Sequence, residues 1–83
     1  MKTIKECETV IDKSNPFLVE HYLGYDNEAL TGVRIRLNKE RTSYIKLKKD
    51  PKYIDETILL IDAIMERNIL REVDGDKGGY SIG

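Results

Sequence analysis

Residues 32–49 read GVRIRLNKERTSYIKLKK, and this stretch constrains the chain more than any other. Val33, Ile35 and Leu37 share one parity with Ile45 and Leu47, while Arg34 and Arg36 share the other with Tyr44, Lys46 and Lys48. Side chains on a strand alternate between faces, so the pattern predicts a β-hairpin over about 33–48, apolar on one side and basic on the other. NKERT would be its loop.

The flanking segments predict helices and a second hairpin. Asp50 and Pro51 form an acidic cap followed by a first-turn proline, which starts an amphipathic helix over about 51–67. Ile54, Ile58, Ile61 and Met65 line one face of it, Leu60 and Ile64 widen that face, and Asp55, Asp62 and Glu66 fall opposite. Leu59 falls among those acids, beyond the reach of a core, and is a candidate contact for another protein. Asn68 is suited to the left-handed conformation that ends a helix. ILREVDGDKGGYSIG then reads as a hairpin over about 69–82, turning at Asp74-Gly75 and Gly78-Gly79.

Toward the start, Ile4, Cys7, Val10 and Ile11 recur at helical spacing, which predicts a short N-terminal helix over 3–13. SNPFLVEHYLG carries two signals at once. Asn15-Pro16 suits a helix cap and first turn, with Gly24 at the end, yet Phe17, Val19, His21, Leu23 and Tyr25 alternate. A helix there would have only about two turns, marginal without packing, so a strand over 17–23 is the preferred reading. DNEALTG reads as a loop or a single helical turn. The expected fold class is α+β: one domain, 1–83, with a small antiparallel sheet of two hairpins carrying both helices on one face.

Eighty-three residues, 40% of them apolar, build a thin core, so a homodimer or a partner would supply part of the stability. The net charge of −1 conceals a segregation: residues 1–30 sum to −3, 31–53 to +6 and 54–83 to −4. A single cysteine, Cys7, excludes an intrachain disulfide and a multi-cysteine zinc site. The opening MKTIKECETV has no signal-like apolar run, and no 18 consecutive residues are apolar. A cytoplasmic location and no membrane partner are therefore expected.

Nothing in the pattern calls for enzyme chemistry, a cofactor or a metal. His21 is the only histidine and has no context linking it to a nucleophile, so a structural or exposed role is expected. The acids at 55, 56, 62 and 66 are spaced as a solvated helix face rather than a cation cage. DGDKGGYSIG matches the start of a calcium loop, but position eight is Ser81 and the chain stops before the closing glutamate.

A helix followed by NILREVDGDKGGYSIG resembles the end of a winged-helix DNA-binding domain, in which a helix runs into a hairpin wing. The resemblance covers residues 53–83 and implies DNA binding. Against it, no helix-turn-helix stands upstream, and the segment carries net negative charge where phosphate contacts need positive.

Three readings of the basic face remain. It can be a solvated surface that discourages edge-to-edge pairing. It can be covered by the acidic ends of the chain. Or it can dock a nucleic acid or an acidic protein surface. Arg34 and Arg36 would fork onto phosphates, Lys46 and Lys48 would add point charges, and Tyr44 would stack a base. Arg41, Lys49 and Lys52 would extend the track. The leading expectation is a non-enzymatic nucleic-acid-binding accessory or regulatory protein. The alternative is a small protein-binding modulator or inhibitor, of the kind found in viruses and mobile elements.

Overall fold

A computed structural model describes the backbone of residues 3–82 and the side chains of residues 3–72. The described residues form four helices and no strand: α1 (Ile4–Lys13), α2 (Pro16–Tyr22), α3 (Asn27–Lys46) and α4 (Lys52–Ile82). The expected α+β class is overturned, and with it both β-hairpins and the winged-helix resemblance, whose wing would fall inside α4.

Each of the first three helices starts on a side-chain cap. Thr3 accepts a hydrogen bond from the Glu6 amide at 3.2 Å and Glu6 sits three residues on, the arrangement of a capping box. Asn15 accepts from the Phe17 amide at 2.9 Å with Pro16 in the first turn, so the cap signal prevails over the alternation that favoured a strand at 17–23. Asp26 accepts from the Ala29 amide at 2.8 Å, and DNEALTG is thereby the first turn and a half of α3 rather than a loop.

The first hairpin is replaced by α3 for two reasons. Its supposed loop, NKERT, holds neither glycine nor proline, and Asn38 alone is a strong turn former. A second periodicity, spaced by threes and fours, also runs through the same residues: Asn27, Leu30, Arg34, Leu37, Arg41 and Tyr44. Leu30 and Leu37 on that line are buried. The β-branched residues fit the helix as well, Thr31 and Thr42 each donating to the carbonyl four residues back, at 2.7 and 3.1 Å.

The helix expected at 51–67 exists but continues. Asn68 does not terminate it: its side-chain Nδ2 donates to the Asn27 side-chain Oδ1 at 3.1 Å, while the Asn27 Nδ2 donates to the Met65 backbone carbonyl at 3.3 Å. The turn pairs proposed at Asp74-Gly75 and Gly78-Gly79 lie beyond the residues whose side chains are described.

α4 is the spine on which the other helices pack, α1 and α3 most extensively. Its buried arc holds Ile54, Thr57, Leu60, Ile61, Ala63 and Ile64, with Cys7 and Ile11 from α1, Tyr22 from α2, and Leu30 and Leu37 from α3 closing the core. The Thr57 hydroxyl is satisfied by the Tyr53 carbonyl at 2.9 Å. α3 and α4 run antiparallel, a register marked by Arg34–Asp62 at 2.7 Å and Arg41–Asp55 at 2.5 Å.

Candidate interaction surfaces

The eight residues expected to form one cationic track do not share a face. At about 100° per residue, Arg34 and Arg36 point to nearly opposite sides of α3. Arg34 and Arg41 lean toward α4, where Asp62 and Asp55 pair with them. Lys46 closes α3, Lys48 and Lys49 lie in the turn after it, and Lys52 opens α4. The Lys49 ammonium stands 5.8 Å from the centroid of the Tyr44 ring, a cation–π contact on the ring proposed for base stacking. The helical fold thus removes the basic hairpin face on which nucleic-acid binding rested.

Leu59 fares differently. It is 56% exposed, as its place among the acids of α4 predicts. It also borders a cleft of about 350 Å³ where the C-terminal half of α1, the start of α2 and the first turns of α4 meet. Val10, Leu18, Tyr53, Leu59 and Leu60 supply the apolar lining; Lys13 and Glu56 put one charge of each sign beside it. Leu60 is fully buried and belongs to the core, whereas Tyr53 is 60% exposed. Sequence reasoning found Leu59 but missed Tyr53. The signal was present: Tyr53, Glu56 and Leu60 follow one another at helical spacing, on an arc next to Leu59.

A second, shallower cleft is lined by Asp26, Asn27, Asn68, Arg71 and Glu72. Its mixed charges and the Asn27–Asn68 bond make it a polar seam between the start of α3 and the middle of α4. His21 is exposed and packs edge-on against Tyr22, with ring centroids 4.7 Å apart, and lies 5.6 Å from the Tyr25 ring. No helix among the described residues is long and apolar enough to cross a membrane.

Arg67 is the unusual residue of the core boundary. It is buried, and its Nε is the one buried side-chain nitrogen or oxygen among the described residues without a hydrogen-bond partner. Burial pushes its pKa below the ordinary arginine value and the neighbouring Arg71 adds to that, while Glu8 and Cys7 oppose it. Searches against family models, curated proteins and solved structures found no match for this chain.

Proposed function

We propose that this chain is a non-enzymatic protein-binding domain, a modulator that docks a partner protein in the cleft between α1, α2 and α4. The observation that carries the reading is the exposure of Tyr53 and Leu59 beside an apolar-lined cleft. An exposed aromatic and an exposed leucine flanking a concave surface are the elements of a protein interface core, with Lys13 and Glu56 as polar rim. The complementary ligand is an amphipathic helix presenting two or three apolar side chains, since the cleft is apolar-lined and framed by helices.

The test is affinity capture from nuclease-treated lysate with the wild-type chain, Leu59→Asp and a Tyr53→Ala variant. A protein retained stoichiometrically by wild type and lost by at least tenfold with Leu59→Asp supports the reading. Equal retention by wild type and Leu59→Asp would remove the cleft from consideration.

A further inference from the structure

We infer that the turn joining α3 to α4 docks this chain on an anionic lipid surface, with Leu47 entering the headgroup layer among Lys46, Lys48, Lys49 and Lys52. The contact is separate from the cleft, which neither Leu47 nor any of these lysines lines.

Residues 44–53, YIKLKKDPKY, hold four lysines and one acid, a balance of +3 in a chain whose sum is −1. All four lysines are exposed, and among the described residues none of them forms an ion pair. The acids at this end are already engaged or stand aside. Asp50 accepts from the Lys52 amide at 3.0 Å, Asp55 pairs with Arg41, and Glu56 belongs to the rim of the cleft. Asp12, on α1, is matched by Lys13 beside it.

The same turn exposes large apolar side chains between its charges. Leu47 is 66% exposed, and Ile45 and Tyr53 are exposed with it. The α1–α2 turn reaches this end of the molecule too, because Lys13, Ser14 and Asn15 share the cleft with Tyr53. It adds Phe17, 81% exposed in the first turn of α2. Apolar and tyrosine side chains interleaved with lysines are the composition of a contact at the membrane–water boundary, where the ammoniums stay in the headgroup layer. Leu47 and Phe17 line neither cleft, so they protrude rather than wall a recess. A fluid headgroup layer moulds around such protrusions, whereas a protein partner would have to offer a matching pocket for each.

The backbone supports the same assignment. The Leu47 amide donates to the Ser43 carbonyl at 3.0 Å and the Lys48 amide to the Ile45 carbonyl at 3.0 Å, which hold the turn in shape. Lys48 has φ 58°, a conformation glycine adopts without cost. A lysine kept at a strained position in place of glycine points to a use for its charge. The sequence argues against a membrane partner only through its lack of spanning and signal-like runs, and a contact at the bilayer surface needs neither.

Co-sedimentation of the full chain with vesicles tests this, comparing phosphatidylcholine alone with phosphatidylcholine containing about 30% phosphatidylserine in about 0.1 M salt. The wild-type chain is expected to bind the anionic vesicles at least about tenfold more tightly than the neutral ones, and to be released by about 0.5 M salt. Leu47→Ser, which alters no charge, is expected to weaken that binding about tenfold. Lys48→Gly is expected to weaken it about fivefold with an unchanged far-ultraviolet circular dichroism spectrum. Leu59→Ala, in the cleft, is expected to bind as wild type. Wild type that binds neither vesicle, or both equally, overturns the proposal and leaves the turn to an acidic protein surface or to solvent. Unchanged binding by Leu47→Ser overturns it as well, because the lysines would then act without insertion. So does weakened binding by Leu59→Ala, which would place the contact in the cleft. Soluble glycerophosphoserine at about millimolar concentration is expected not to compete, and competition would reassign the site to a free anion. None of these outcomes decides whether the cleft binds a partner protein, which capture with Leu59→Asp reads separately.

Discussion

Lys48 holds the only positive φ among the described non-glycine residues, 58°, at the turn where α3 hands over to α4. The Lys49 amide donates to the Tyr44 carbonyl across this residue at 2.8 Å, the long bond of a helix-ending motif that glycine usually serves. A Cβ in that conformation costs about 1 kcal/mol or more, so Lys48→Gly is expected to stabilise the fold by about 0.5–1 kcal/mol. Urea unfolding reads the change as a higher midpoint at constant slope. Arg67 makes a second residue-scale case. A buried cation with an unpaired Nε beside Arg71 loses hydration without full compensation. Arg67→Met keeps most of the volume and removes the charge, and is expected to raise the unfolding free energy by about 1–3 kcal/mol. A lower midpoint would show that the guanidinium's remaining contacts outweigh its desolvation.

Among the elements, α3 is where the sequence misleads and where the reason is clearest. Five-residue runs such as VRIRL satisfy strand alternation and helical spacing together, because positions i and i+4 share a face in both. The decision between them comes from outside the run. Asp26 caps the helix, Lys39, Glu40 and Arg41 favour it, and Gly32 and Asn38 stand singly within it rather than as a turn pair. Loss of the cap in Asp26→Ala is expected to cost about 1 kcal/mol, measured by denaturant unfolding. The Arg41–Asp55 pair locks α3 against α4, but its side chains are nearly half exposed, so a double-mutant cycle is expected to return only about 0.5 kcal/mol. That coupling should fade in about 1 M salt, where screening is nearly complete at contact range.

At the scale of the whole molecule, the chain is long and narrow, 56 × 23 × 23 Å, because a 31-residue α4 outruns the helices that pack on it. Its accessible surface of 6165 Å² exceeds the roughly 5,100 Å² of a globular monomer of this mass. Little core is left to lose. A domain of this length is worth about 4–12 kcal/mol in total. Leu60→Ala, emptying a fully buried position where α1 meets α4, is expected to cost about 2–5 kcal/mol. In thermal melts that loss should bring the transition close to ambient temperature or abolish its cooperativity.

Local signals in the sequence settled what depends on neighbouring residues alone. The α1 helix, the apolar stripe of α4 and the exposure of Leu59 are all of this kind, since periodicity acts within a few residues; the Asn15-Pro16 cap was just as local, but the alternation after it outweighed it and favoured a strand where α2 stands. Which of two periodicities α3 obeys was a tertiary decision. Leu30 and Leu37 gain burial only when α4 lies alongside, and Arg34 and Arg41 find Asp62 and Asp55 only across that same contact. The same packing carried α4 past Asn68, by giving its amide a partner on α3, and it dispersed a row of cations that looked continuous in the one-dimensional chain. Burial and pairing between distant residues are free-energy terms of the folded whole, and no short window of sequence contains them.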